Sequence, residues 1–209
     1  MPQIITSTYF TYPNELNIPL AVEFITANPS LQGPNEKAFL DELCIKVEKE
    51  LLINALGLAT YNELQTALDD IDNPIYEKYK KLVEGEEYDN KVWIGLNNDY
   101  SFIAYRILEQ FLFASNEQLS AVGTVQVSPE KATLLSPRYK IASANANFIK
   151  GYQQGYLEFP NIYCDGTFID WFGFNNDINV SLYQYLIDKQ TDFTTEFFKT
   201  YETQNSFGI

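Results

Sequence analysis

Apolar residues recur at helical spacing through the middle of the chain. After residue 35, four of them follow one another every three or four positions: Leu40, Cys44, Val47 and Leu51. This period predicts an amphipathic helix with one face in a core. Glycine readily takes the left-handed conformation that ends helices, so we expect this helix to end at Gly57.

Three more helices are predicted before residue 120. The tetrad Thr60-Tyr61-Asn62-Glu63 has the form of a capping box and begins a short second helix. Asn73-Pro74 opens a third, which closes near Gly85, and an acidic run follows it in a predicted loop. The fourth helix, residues 99–119, is apolar on nearly all sides, so we expect it to be buried on more than one side.

Residues 120–136 interrupt the helical pattern. Two β-prone triplets, 124–126 and 132–134, lie on either side of a Ser-Pro pair. We interpret this stretch as a polar hairpin or excursion between the two most regular helices. Ser136 is a plausible N-cap with Pro137 at the first helical position, and the fifth helix runs to about residue 157.

The two ends of the chain are less regular. Five prolines within residues 1–34 prevent a long helix, and we interpret this stretch as an extended arm on the body or on a neighbouring subunit. Residues 158–209 are aromatic-rich and broken by glycines, with helices expected at 181–188 and 192–201. The sequence therefore predicts a mainly α fold: a bundle of about five helices in residues 35–157, a β-prone hairpin excursion between the last two, an extended N-terminal arm and an irregular C-terminal extension.

Charge restricts the functions that fit this chain. Its 28 acidic and 14 basic residues give a net charge of −14, which disfavours direct binding to nucleic acid because phosphate contacts need Lys and Arg. The two cysteines do not form a disulfide framework, and Cys44 fits a small buried apolar residue. The N-terminus lacks the pattern of a signal peptide, and no apolar run is long enough to span a bilayer. We therefore expect a soluble protein made in a reducing cytoplasm.

Catalytic and metal-binding motifs are missing from the sequence. The chain contains no histidine, which removes Ser-His-Asp and Cys-His pairs and the zinc-binding HExxH helix. No glycine-rich phosphate loop is present, and the acidic stretch 69–73 lacks the glycine and glutamate of a calcium loop. We therefore expect no enzymatic activity, no cofactor and no metal, although a pair of catalytic carboxylates depends on a spatial distance that sequence does not give.

An ordered set of motifs points to one family. The segment EKELLINALGLATYNELQTAL places Leu-Gly at a helix end before Tyr61, and YKKLVEG, VWIGLNNDYSFIAYRILEQFLFASNEQLSAVGTVQV and YKIASANANFIKGYQQGY follow in order. Over residues 36–157 this arrangement resembles the head–tail connector proteins, also called adaptor or neck proteins, of tailed bacteriophages such as crAss-like phages. The resemblance rests on the order and spacing of these motifs.

The resemblance implies a structural virion protein, made in the host cytoplasm, that forms a homo-oligomeric ring in the phage neck. Such a ring matches a twelve-fold portal, binds the portal protein and other neck or tail proteins, and continues the channel through which DNA passes without specific binding during ejection. No membrane is involved. The excursion then supplies candidate contacts between subunits: Val122, Thr124, Val125, Val127, Leu134 and Leu135. The acidic run supplies candidate channel-facing acids: Glu84, Glu86, Glu87 and Asp89. The alternatives are a carboxylate-dependent hydrolase and a monomeric helical module that binds other proteins.

Overall fold

A computed structural model describes residues 3–11, 16, 36–70, 72–99, 101–120, 123–126, 137–153, 163–164, 167–168 and 179–202. Across these residues the fold is mainly α, as the sequence predicts. Six α-helices are present: α1 (Glu36–Leu56), α2 (Leu58–Asp69), α3 (Tyr76–Glu84), α4 (Phe102–Asn116), α5 (Pro137–Gln153) and α6 (Leu182–Asp188). A 3-10 helix spans Ser7–Phe10. The predicted domain boundaries, 34/35 and 157/158, fall outside the described residues and stay predictions.

The described strands form three two-stranded antiparallel hairpins. They are β1 (Glu86–Tyr88) with β2 (Lys91–Trp93), β3 (Glu117–Ser120) with β4 (Gly123–Gln126), and β5 (Tyr163–Cys164) with β6 (Thr167–Phe168). The β3–β4 hairpin lies between α4 and α5, where the sequence predicts an excursion. The triplet 124–126 is confirmed as part of a strand, whereas 132–134 lies outside the described residues.

The chain divides into two compact units. One contains Leu52–Asn98 and Ile149–Tyr201, and the other contains Gln3–Leu51 and Asp99–Phe148. The core of the first includes Leu56, Leu64, Tyr79, Trp93, Tyr152 and Tyr185. The core of the second includes Ile5, Phe10, Leu40, Cys44, Val47, Leu51, Ile103, Ile107 and Phe148. The helical stripe seen in the sequence of α1 is therefore confirmed as a core face.

Gly57 separates α1 from α2. Its φ of +80° is a conformation that favours glycine, so the prediction that it ends the first helix is confirmed. The capping box is wrong, because α2 begins at Leu58 and residues 60–63 lie inside it. The carboxylate of Glu63 instead accepts a hydrogen bond from Tyr79 Oη at 2.9 Å.

Helix α3 begins later than predicted. Asn73 closes a turn in which its side-chain oxygen accepts from the backbone N–H of Ile75 at 3.1 Å, and the helix starts one residue beyond, at Tyr76. Helix α4 ends at Asn116 rather than at residue 119, because residues 117–120 pair with β4. Within α4, Phe111 is buried, whereas Leu108 is only half-buried.

The N-terminal residues that the structure describes lie on the body of the chain. Ile5 and Phe10 are fully buried, and the backbone of this segment is hydrogen-bonded to α1. Residues 3–11 therefore pack on their own chain, and the extended arm over residues 1–34 stays a prediction. Residues 12–34, apart from Leu16, lie outside the described residues.

At the other end, α6 is confirmed. Ser181 is its N-cap, and the Ser181 Oγ accepts from the backbone N–H of Gln184 at 3.2 Å. The second predicted helix, residues 192–201, is wrong, because these residues form turns and an extended segment. The backbone of Lys199 and Tyr201 is instead hydrogen-bonded to Asn54 and Gln153, and Phe198 stacks on Tyr152.

No helix among the described residues is long and apolar enough to cross a membrane.

Candidate functional site

The predicted contact residues centre on the β3–β4 hairpin. Glu117 follows the last residue of α4 directly, and the register pairs Thr124 with Leu119 and Val125 with Gln118. Val122, Val127, Leu134 and Leu135 lie outside the described residues. The structure therefore places the backbone of Thr124 and Val125 in β4, paired with β3, the strand that follows α4 directly.

A hairpin of two strands leaves one edge of each strand without a strand partner. Among the described residues, β3 and β4 pair only with each other. Unpaired edge amides and carbonyls are templates for another chain, and an isolated hairpin is only marginally stable in water. Each strand of this hairpin therefore has one edge that no described strand covers.

The sequence predicts a loop for the acidic run. Residues 86–93 instead form a tight hairpin, β1–β2. Tyr88 pairs with Lys91, and the two residues between them, Asp89 and Asn90, both have positive φ, at 46° and 61°. Two-residue hairpin turns that match the twist of their strands require positive φ at both positions, which Asp and Asn tolerate. The Asp-Asn pair between two aromatic-containing triplets was the signal in the sequence for this hairpin.

Three of the four candidate channel acids are exposed, and one is not. Glu84 ends α3, Glu87 lies in β1 and Asp89 lies in the turn, and all three are exposed. Glu86 is half-buried, and its side chain is only 14% exposed. Glu86 therefore differs from the other three acids in its exposure to solvent.

Glu86 is the centre of a local ion-pair network. Its carboxylate lies 2.8 Å from Lys189 Nζ and 3.3 Å from Lys81 Nζ, and Tyr185 Oη donates to it at 3.0 Å. Burial raises the pKa of the Glu86 carboxyl, but Lys189, Tyr185 and Lys81 outweigh burial and hold it below its usual value. Because its charge is already compensated, Glu86 serves to fix the hairpin rather than to present free negative charge.

A second carboxylate completes the attachment of this hairpin to α6. Asp188 accepts hydrogen bonds from Lys91 Nζ at 2.6 Å, Tyr88 Oη at 2.9 Å and Gln184 Nε2 at 2.9 Å. Burial acts against ionisation of Asp188, but Lys91 and the other donors lower its pKa overall. The phenol of Tyr88 has a raised pKa, first through burial and then through its bond to Asp188.

Trp93 anchors the hairpin on the apolar side. Its indole is 1% exposed, stacks on Tyr185 with ring centroids 5.0 Å apart, and donates from Nε1 to the Leu82 carbonyl at 2.9 Å. Two residues later, Gly95 has a φ of +83°, and an added Cβ would lie 2.5 Å from the Val83 carbonyl oxygen. The Trp-x-Gly spacing in the sequence therefore has a structural cause: the indole fills the core, and the glycine allows the chain to pass close to the end of α3.

Sequence reasoning missed a buried carboxylate at the N-terminal segment. Glu48 on α1 is 4% exposed, and its Oε2 accepts from the backbone N–H groups of Ile4 at 3.0 Å and Ile5 at 2.9 Å. Burial raises the pKa of the Glu48 carboxyl, and the two amides offset only part of that rise. Helical spacing is the signal that could have identified it, because Glu48 lies four residues after Cys44 and four before Leu52, on the apolar face of α1.

The remaining candidate chemistry is limited. Cys44 is fully buried, and burial raises the pKa of its thiol to about 12, so it behaves as a small apolar residue, as expected. In the part of the chain that the structure describes, no three His, Cys, Asp or Glu side chains lie together as a metal site would require.

Comparisons with known proteins add no identification. A scan against protein families, a search of curated proteins and a search of solved structures each find no match.

Proposed function

We propose that this chain is a structural protein of a tailed-phage neck, where copies form a ring between portal and tail and surround the DNA channel. The observation that supports the proposal is the arrangement of α4, β3 and β4. A helix with a buried face passes without a linker into a two-stranded hairpin, and among the described residues each of its strands has one edge that no other strand pairs with. A ring subunit must also contact its neighbours, and a hairpin with unpaired strand edges can make such a contact.

The order of elements also supports the proposal. The Leu-Gly helix end at Gly57, the Trp93 segment, the apolar α4, the hairpin and α5 occur in the order that the connector resemblance implies. The exposed acids Glu84, at the end of α3, and Glu87 and Asp89, in the β1–β2 hairpin, contribute negative charge to this part of the surface. If that surface lines the channel, it repels the phosphates of a passing duplex.

The test is the location and assembly of the protein. Cross-linking mass spectrometry of purified virions should detect this chain and join it to the portal protein, and a particle reconstruction should place it as a ring. Absence of the chain from complete virions contradicts the proposal. In that case, the size of the purified protein and its capture of partner proteins would test the monomeric binding module.

A loop replacement tests the hairpin itself. Replacing residues 120–136 with a short Gly/Ser loop should leave α4 and α5 folded, because antiparallel neighbours need only a brief connection. The variant should retain its circular dichroism spectrum but fail to enter particles. Glu50→Gln, a change at an exposed position of α1, is the matched control and should enter normally. Normal incorporation of the loop variant contradicts a role for the hairpin in assembly.

A further inference from the structure

The segment Phe197–Tyr201, called here the strap, is bound within its unit as a separate peptide would be. It is neither helix nor strand. Gln153 holds it through a reciprocal pair of bonds: Gln153 Nε2 donates to the Tyr201 carbonyl, and Tyr201 N–H donates to Gln153 Oε1, both at 2.7 Å. A side-chain amide thus takes the place of a neighbouring strand.

The end of α1 supplies a second set of polar contacts. The backbone N–H of Lys199 donates to the Asn54 carbonyl at 2.9 Å, and Asn54 Nδ2 donates to Tyr201 Oη at 2.8 Å. Asn54 is among the last four residues of α1, whose carbonyls have no partner inside the helix. The strap therefore satisfies a backbone acceptor that the helix itself leaves open.

Aromatic stacking holds the middle of the strap. Phe198 stacks on Tyr152 with centroids 4.7 Å apart and lies 4.9 Å from the ring of Tyr183, while Tyr201 meets Tyr152 edge-on at 5.3 Å. The ring of Phe197 covers Gly57, where even a Cβ atom would lie 2.6 Å from it. The groove is thus formed by the ends of α1 and α5 and by one residue of α6.

A polar connector joins the strap to a separate anchor. Phe193 is 4% exposed and lies 6.0 Å from Tyr79 and 6.2 Å from Tyr185, measured between ring centroids. Between this anchor and the strap lie Thr194, Thr195 and Glu196, of which Thr194 and Glu196 are exposed. The connector is therefore the place where the chain can change direction while the anchor stays buried.

We propose that the strap of one copy occupies the groove of a neighbouring copy. The occupant is the same five-residue segment, so the strap–groove contacts described above are repeated in trans. The bond from the Phe198 N–H to the Thr195 carbonyl, 3.1 Å long, must survive or be replaced when the connector changes direction. The cost of exchange is the loss of the intramolecular connection, which a high local concentration of neighbouring grooves offsets. The trans pairing therefore rests on the proposed ring, whereas recognition of the strap by its groove does not.

Disulfide trapping in the full chain tests the exchange. Chains carrying only Asn54→Cys are mixed with chains carrying only Lys199→Cys and oxidised. The Lys199 N–H donates to the Asn54 carbonyl at 2.9 Å, so the two positions are neighbours, and the double variant described below checks that a disulfide can join them. We expect a covalent dimer that joins positions 54 and 199. The matched control is Asn54→Cys mixed with Gln190→Cys, an exposed position before the anchor. This mixture should give no such dimer. Unmodified chains that are oxidised in the same way should not give it either.

Two further variants make the result decisive. The double variant Asn54→Cys, Lys199→Cys in one chain should close an internal disulfide. Deleting Thr194 and Thr195 prevents the strap from reaching its own groove, so it should raise the yield of the mixed dimer at least about threefold. Three results would overturn the proposal. The first is a double variant that forms no internal disulfide, and the second is one that forms it while the Asn54→Cys and Lys199→Cys mixture gives no more dimer than the Gln190→Cys control. The third is a deletion that lowers the yield of the mixed dimer. Trapped dimers from a protein that is absent from virions would contradict the proposed function alone. Rings without trapped dimers would contradict strap exchange alone.

Discussion

Substitution of Glu48 tests how much the buried carboxylate and its two backbone hydrogen bonds contribute to the free energy of unfolding. Its Oε2 accepts two backbone N–H groups from the buried N-terminal segment. Glu48→Ala leaves both donors without a partner, and each unsatisfied buried donor costs about 1–3 kcal/mol. Part of that cost is offset because a buried charge is also removed. We therefore expect the free energy of unfolding to fall by about 2–4 kcal/mol at pH 7.

Glu48→Gln separates the hydrogen bonds from the charge. The amide oxygen still accepts both N–H groups, so we expect this variant to lose about 1 kcal/mol or less. The pKa of Glu48 is raised in the folded protein above its usual 4.5, so the folded state binds the proton more tightly than the unfolded state. The stability that Glu48 contributes is therefore fully present below pH 4.5 and declines as the pH rises through the folded pKa.

The assay is urea unfolding followed by far-ultraviolet circular dichroism between pH 4 and pH 8. The stability of the natural chain relative to Glu48→Gln should fall across the lower part of that range and then level off. Glu50→Gln changes an exposed glutamate on the same helix and should show no such dependence. A relative stability that rises with pH would refute the reasoning, since it would mean that the two amides outweigh burial.

Three further changes test other parts of the structure. Phe111→Ala should lower the free energy of unfolding by about 3–5 kcal/mol and Leu108→Ala by less, because of the two only Phe111 is fully in the core. Equal losses of unfolding free energy in the two variants, measured with denaturant, would contradict this packing. Gly95→Ala should cost at least about 1–2 kcal/mol, since it forces an alanine into positive φ, and an unchanged thermal midpoint would refute this. Glu87→Lys should leave the thermal midpoint unchanged but slow DNA ejection at low salt, whereas Glu86→Lys should lower the midpoint by disrupting its ion pairs. Identical effects of the two lysine variants on the midpoint would contradict the network.

Local signals in the sequence were sufficient to predict helix ends and the apolar face of α1. Gly57 ends α1 because glycine readily takes positive φ, and Ser181 begins α6 because its hydroxyl accepts from the first turn. The apolar face of α1 was predicted for the same reason: periodicity is a property of the sequence alone. These features need no knowledge of distant contacts.

Contacts between distant residues account for the errors. Residues 60–63 have the form of a capping box, but α2 had already begun at Leu58, and Glu63 bonds to Tyr79 instead. Residues 192–201 have acceptable helix spacing, yet Gln153 and Asn54 take up their backbone and Tyr201 side-chain groups. The acidic run looked uniform, whereas Lys81 and Lys189 set Glu86 apart from its neighbours. Tertiary partners override local preference at each of these places.

The direct passage from α4 to β3 also has a mechanical consequence. The 15 residues of α4 form a rod about 22 Å long, and Phe102, Ile103 and Ile107 fix that rod in its core. Since Asn116 and Glu117 are consecutive, no slack segment separates the rod from the hairpin. A force applied to the backbone of the hairpin therefore acts directly on α4, because no intervening segment can absorb it.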